Sequence, residues 1–407
     1  MKVLIVGSGA REHALAWKLS QGPELDELHA APGNPGIAPL GTCHPVRAED
    51  DEALLALCRE LEIDLAVVGP ERPLVAGLAD SLRRGGVTTF GPSRAAAQIE
   101  GSKGYAKNVL DAAGVPTARR LSVAEPPCVV KADGLAGGKG VFVCHTREEL
   151  DEGLADAVAL GGEPLVEELL EGEEVSLFAI SDGSRTVALT PAQDFKRIGE
   201  HDTGPNTGGM GSYSPVPGIG EAEVEELLDM VHRPVLEELA RRGAPFSGLL
   251  YAGLMLTDDG PRVLEFNCRF GDPETQSVLP LLEGDLLPLL VGAAAGDLRG
   301  EPSVGSEAAV TIVLAGGDYP KRSDTGTPIE GVADAESTGA LVFHAGTARQ
   351  GERLVTNGGR VLAVTATGDD VAGARSRAYA AVERISFAGM RYRRDIALAA
   401  AEGHVRA

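Results

Sequence analysis

Val129 to Val141 reads as a strand, a glycine-rich turn carrying Lys131 and Lys139, and a second strand. Backbone N–H groups in a flexible glycine hairpin can wrap phosphate oxygens, and lysine ammonium groups neutralise their charge. The G-x4-G-K-[ST] spacing of a Walker loop is not met, and a strand rather than a helix follows. The alternative is a mobile turn with no ligand. The sequence holds only eight lysines, and five of them (Lys103, Lys107, Lys131, Lys139 and Lys196) fall between positions 103 and 196. Elsewhere arginine supplies most of the basic charge. A compact ammonium on a flexible stem suits a moving phosphate, whereas arginine imposes a planar fork.

A second constellation lies in Val263 to Glu274. Glu265 and Asn267 are two apart on a predicted strand, so both point to one face, with Leu264 and Phe266 directed into a core. One carboxylate and one amide oxygen are hard ligands suited to Mg²⁺, with phosphates and water completing the shell. Arg269 follows, placed to hold a carboxylate or a phosphoryl group in transfer. The alternative is an edge strand with solvated polar residues.

A third is Gly7-Ser8-Gly9-Ala10-Arg11-Glu12, between a strand and a helix, where free N–H groups can meet an anion. A dinucleotide fingerprint needs glycine where Glu12 stands, and an acidic residue at the end of the second strand, which instead ends Ala31-Pro32-Gly33-Asn34. A dinucleotide oxidoreductase is therefore disfavoured. A tight turn without ligand and a site for another phosphorylated ligand stay open, with Arg11 an apt anion partner.

The elements that carry these groups form three textures. The first hundred residues alternate short apolar strands with helices, which predicts a parallel α/β sheet covered on both faces. A helix over 102–113 follows, then short strands interrupted by one helix over 148–157, the pattern of a small α+β insertion. Residues 191–217 read as a long polar loop, 221–241 as one amphipathic helix, and 246–267 as a hairpin turning at Asp258-Asp259-Gly260. The C-terminal hundred residues mix strands with a helix over 371–385. Four parts are expected: an N-terminal domain (1–99), a body (100–116 with 186–300), an inserted unit (117–185) and a C-terminal α+β domain (301–407).

Composition limits the partners. The chain has 407 residues and a formal net charge of −23, which argues against nucleic acid and anionic membranes. No apolar run approaches a membrane span or a signal-peptide core, so a cytoplasmic chain is expected. Five widely spaced cysteines without a CxxC predict neither a disulfide framework nor a zinc site.

Taken in order, the motifs resemble those of the ATP-grasp ligases, and within them the phosphoribosylamine–glycine ligase family of purine biosynthesis. The resemblance covers nearly the whole chain. It is carried by G-S-G-A-R-E-H-A (7–14), A-P-G-N (31–34), V-G-P-E (68–71), E-G-S-K (100–103), K-A-D-G-L-A-G-G-K-G-V (131–141), D-T-G-P-N-T-G-G-M-G-S-Y-S-P (202–215), E-F-N-C-R-F-G-D-P-E-T-Q (265–276) and T-N-G-G-R-V-L (356–362). It implies ATP-dependent joining of glycine to 5-phosphoribosylamine through glycyl phosphate. The products are glycinamide ribonucleotide, ADP and phosphate, and Mg²⁺ or Mn²⁺ assists.

It also implies roles. Lys103 and Lys131 would approach the phosphates beneath a loop of Asp133, Gly134, Gly137, Gly138, Lys139 and Gly140, in an insertion that acts as a lid. Glu167 and Leu170 would meet adenine through backbone groups, and Glu174 the ribose. Glu265 and Asn267 would hold the metal, and Arg269, Lys131 and Asp202 would be catalytic. Asn206, Thr207, Gly208, Gly209 and Asp272 would serve the amino-acid and amine site. Gly9, Arg11, Glu12 and Glu71 would face phosphoribosylamine, and Arg360 its 5′-phosphate. Plainer roles stay open: a turn cap for Asp202, a solvated acid for Glu71, a support of the Arg269 loop for Asp272, a surface cover for Arg360. His13 is expected to pack, not to act as a base.

Ser8 and Ala10 replace a common Asn and Gly, and Phe195 a common His. The strand before Glu265 has no carboxylate, so further metal ligands are expected from elsewhere. Other ATP-grasp ligases, such as a carboxylase or formate-dependent transformylase, and a non-catalytic nucleotide-binding protein are the alternatives. The 202–210 loop and the R-F-G-D-P-E run disfavour the former; the intact Lys131, Lys139, Glu265, Asn267 and Arg269 disfavour the latter. A monomer or weak homodimer is expected, with no fused downstream enzyme.

Overall fold

The computed structural model describes residues 1–138 and 140–403. Its first unit is a five-stranded parallel sheet with Lys2–Gly7 at the centre, Glu27–Pro32 and Thr42–Cys43 on one side, and Leu65–Val68 and Thr88–Phe90 on the other. Val3, Leu4, Ile5 and Val6 are all fully buried. Leu4 and Val6 join one core and Val3 and Ile5 another, so both sheet faces are covered. Between the fourth and fifth strands stand two helices, Glu71–Ala76 and Leu78–Arg84, divided at Gly77 with its left-handed φ of 105°.

Helix Lys103–Ala113 starts as the sequence predicts, with the Ser102 hydroxyl accepting the Tyr105 N–H at 3.1 Å. A three-stranded antiparallel sheet (Val141–Cys144, Cys128–Lys131, Leu165–Glu168) then packs against helix Arg147–Leu160 around a small core of its own. Strand Glu173–Ser181 leaves that unit. It pairs along its length with Gly248–Thr257, in a four-stranded sheet with Thr186–Ala188 and Gly260–Asn267. The inserted unit's own sheet therefore ends at Glu168, short of the expected boundary at 185.

The 191–217 segment is not a simple loop. It forms strands Gln193–Asp194, Arg197–Gly199, Thr203–Asn206 and Gly211–Ser214. The first and last extend the C-terminal sheet, next to Ala308–Ala315, Arg360–Gly368 and Leu341–His344. Ser212 and Ser214 are fully buried because their hydroxyls bond to the Pro273 and Pro191 carbonyls, both at 2.9 Å. Such strands carry no apolar alternation, so periodicity missed them.

The long helix expected over 221–241 is interrupted by a π turn, Leu228–His232, between Glu221–Leu227 and Arg233–Arg241. Pro234 lacks the N–H that an unbroken α-helix would use there. Helix Val371–Val382 covers the C-terminal sheet. Among the described residues no helix is long and apolar enough to cross a membrane.

Candidate active site

A cavity of about 840 Å³ opens between the glycine-rich hairpin and the strands bearing Glu265 and Asn267. Gly134, Gly137, Gly138 and Gly140 line its roof. Gly138 has φ 77°, and a Cβ there would stand 2.6 Å from the Thr207 carbonyl oxygen, so only glycine fits. Lys139 lies outside the described residues. Asp133 does not line the cavity. Its carboxylate accepts the N–H groups of Lys103 (2.6 Å), Gly104 (3.3 Å) and Gly134 (3.0 Å), which ties the roof to the start of helix Lys103–Ala113.

The scarce lysines converge here. Lys131 Nζ lies 2.6 Å from one oxygen of Glu167, and Lys107 Nζ lies 2.7 Å from the other. Burial works to raise the Glu167 carboxyl, but Lys131 and Lys107 outweigh it and hold it below its ordinary range. Lys196 meets Glu174 at 2.6 Å and Glu265 at 3.9 Å. Burial likewise pushes Glu265 up, and Lys196, Lys103, Lys131 and Arg269 together bring it down. Four cations thus face one carboxylate in a protein whose net charge is −23. Beside them Asp194 is pushed up to about 8, first by burial and then by Glu274, Glu174 and Glu265, against the pull of Lys196.

Asn267 Oδ1 accepts from Arg269 at 3.1 Å, on the face it shares with Glu265. Among the described residues no three or more His, Cys, Asp or Glu side chains converge as a metal site. A carboxylate and an amide oxygen fit a hard divalent cation that takes its other ligands from phosphates and water. Arg269 is held by Glu71 at 3.4 Å and Glu100 at 3.3 Å. Burial works to raise Glu71, yet Arg269 and Arg11 bring it down to about 2, so Glu71 is an ion-pair partner and not a solvated acid.

Arg11 lines the cavity and bonds to the Phe270 carbonyl. Glu12 lines neither cavity described here: it is buried against Arg11 at 2.6 Å and accepts the Gly9 N–H at 2.6 Å, capping its own helix. Ala10 begins that helix and needs no left-handed backbone. His13 packs as expected. Burial, then His344, lowers it to about 3, and its Nδ1 accepts the His344 N–H.

A second cavity, about 580 Å³, adjoins the first between the N- and C-terminal units. Ser8, Gly9, Asn34, Tyr319, Lys321 and Arg322 line it, and Asp272 and Arg360 line both cavities. Asp272 supports the wall by pairing with Arg360 at 2.9 Å. Asn206, Thr207 and Gly208 border the first cavity; Gly209 packs against Pro273 behind it. Leu170 and Glu174 line the far end. Asp202 stands at the edge, with its carboxylate on Arg393.

Lys321, Glu100 and Asp194 line these cavities without a role that the sequence alone marks out. Lysine scarcity was the available signal for Lys321, but its distance in sequence from the other lysines hid it. Glu100 and Asp194 gain meaning only from partners brought by folding.

A glycine-rich antiparallel hairpin closing over a sheet that presents Glu265, Asn267 and converging lysines defines an ATP-grasp ligase. Family models for phosphoribosylglycinamide synthetase match in order: the N domain over residues 1–100, the ATP-grasp (A) domain over 101–275 and the C domain over 309–399. The chain belongs to the phosphoribosylglycinamide synthetase family. It is 51% identical to phosphoribosylamine–glycine ligase of Streptomyces coelicolor, covering 98% of this chain and 100% of that one. Against the Rhizobium meliloti protein of that name it is 50% identical, covering 97% and 98%. The crystal structure of Thermotoga maritima phosphoribosylamine–glycine ligase superposes with a TM-score of 0.83 at 35% identity, covering 97% of this chain and 100% of that one.

Proposed function

We propose that the protein joins glycine to 5-phosphoribosylamine at the expense of ATP, acting on small molecules in the cytoplasm. The observation that carries this reading is the convergence of Lys103, Lys131, Lys196 and Arg269 on Glu265 beneath the glycine hairpin. ATP lies in the first cavity, adenine along the backbone of Glu167 to Leu170 and ribose at Glu174. Glu265 and Asn267 hold Mg²⁺ or Mn²⁺, which neutralises charge on the phosphates when bound.

A glycine carboxylate oxygen attacks the γ-phosphorus and ADP leaves, giving glycyl phosphate. Lys131 and Arg269 meet the charge that shifts during transfer. The amine of phosphoribosylamine then attacks the glycyl carbonyl. A C–N bond forms, the amine loses a proton, and phosphate departs with one oxygen that began in glycine. Closure of the hairpin keeps water from the acyl phosphate.

Phosphoribosylamine occupies the second cavity, its amine toward the wall shared at Asp272 and Arg360. The Arg360 amino groups are already engaged by Asp272 and the Gly208 carbonyl. Exposed Lys321 and Arg322 therefore meet the 5′-phosphate, and Arg360 shapes the wall. Glycine labelled with ¹⁸O in its carboxylate tests the route. One labelled oxygen is expected in the released phosphate; unlabelled phosphate beside labelled amide product contradicts it.

A further inference from the structure

We infer that Arg393 is a positioning residue for the amino-acid site, acting from the C-terminal segment through Asp202. The inference deepens the proposed function and rests on the reading that Asn206, Thr207, Gly208 and Gly209 serve the amino-acid and amine site. Arg393 is 1% exposed, and two of its partners, Asp202 and Arg197, lie almost two hundred residues away in sequence. Its guanidinium meets Asp395 with two bonds, Nε to Oδ1 at 2.8 Å and Nη2 to Oδ2 at 2.7 Å. Its remaining amino group donates to Asp202 Oδ1 at 2.7 Å and to the Arg197 carbonyl at 3.1 Å. The Phe195 ring lies beneath, 5.1 Å from the guanidinium carbon. The resemblance puts histidine at that position; phenylalanine offers the guanidinium an uncharged aromatic face.

These contacts grip one hairpin, Arg197–Gly199 with Thr203–Asn206, at its tip. His201 and Asp202 there both adopt left-handed backbone, at φ 55° and 51°, which side-chain-bearing residues rarely do in succession. The tip keeps that shape while something outside the hairpin holds it. The grip is twofold: Asp395 accepts the His201 N–H at 2.8 Å, and Arg393 takes the Asp202 carboxylate.

From the tip the chain runs into Asn206, Thr207 and Gly208 on the cavity wall. Ala397, Ala399 and Ala400, just beyond Arg393, line the same cavity. The segment that anchors the loop thus also forms part of the wall. Asp202 works through the geometry it imposes, not as a proton acceptor.

The test uses the full-length protein with Asp202→Asn and Arg393→Lys, singly and together. Each single change is expected to raise the glycine KM about tenfold and leave the ATP KM within about twofold, and the double variant to be no worse than the more severe single. Multiplied losses would mean that Asp202 contacts substrate independently, and would overturn the inference. So would a collapse of kcat at unchanged glycine KM in Asp202→Asn.

Arg393 is deeply buried and its replacement by lysine risks misfolding, so hydrogen exchange supplies a second readout on Asp202→Asn alone. Faster exchange confined to residues 199–206 supports the latch, and unchanged exchange overturns it. That readout needs no turnover, so a protein that fails to ligate glycine does not mask the result.

Discussion

Asp272 and Arg360 form an ion pair at 2.9 Å on the wall that the two cavities share. Asp272 belongs to the motif run that carries Glu265, and Arg360 to the C-terminal sheet. The pair stands between the first cavity and the second, which Lys321 and Arg322 line. Arg360→Lys keeps the charge and loses the forked geometry. Water should then reach the acyl phosphate, and ADP released per amide formed should rise from about one to several. Parallel measurement of ADP and product checks this; a ratio that stays at one would show that the pair does not seal the wall.

Lys107 and Lys131 share the Glu167 carboxylate, and Lys107 is almost fully buried. Lys107→Met removes one of two cations from a buried acid. A loss of about 1–3 kcal/mol is expected in urea unfolding, below the usual cost of orphaning a buried charge because Lys131 remains. The ATP KM should rise while the glycine KM holds. Unchanged stability and unchanged ATP KM would contradict the assigned geometry.

Burial keeps His13 neutral in the folded state, with its pKa lowered to about 3. The unfolded chain binds the proton near pH 6.5, so the stability from this group is complete above that pH and is lost as pH falls toward 3. Between pH 6.5 and 5 the loss is about 1.6 kcal/mol, the slope reaching about 1.4 kcal/mol per pH unit once the unfolded chain is fully protonated. His13→Gln should remove that part of the slope, measured as the difference from the parent chain in urea midpoints at the two pH values. Identical slopes would mean that His13 titrates alike in both states.

Local signals made much of this legible. The parallel sheet followed from apolar strands alternating with helices, and the hairpin turning at Asp258 from its turn residues. The glycine hairpin and the Glu265–Asn267 pair are short-range patterns whose spacing fixes which way side chains face. What escaped depended on long-range contact or on buried polarity. Ser212 and Ser214 build a strand without apolar alternation. Asp133, expected among the ATP ligands, serves as a helix anchor, and Glu12 caps its own helix. Arg393 reaches Asp202 across most of the C-terminal half, where no spacing rule applies. Lys321, far from the other lysines in sequence, joins the second cavity.

The central claim is that this cavity couples ATP cleavage to the joining of glycine and phosphoribosylamine. The direct measurement supplies ATP and Mg²⁺, adds glycine and freshly made phosphoribosylamine singly and together, and follows ADP and the amide by mass spectrometry. The predicted result is equimolar ADP and glycinamide ribonucleotide only when both substrates are present, lost in a Glu265→Gln variant that remains folded. Amide formation that requires a different amino acid, or full turnover in Glu265→Gln, would contradict the account.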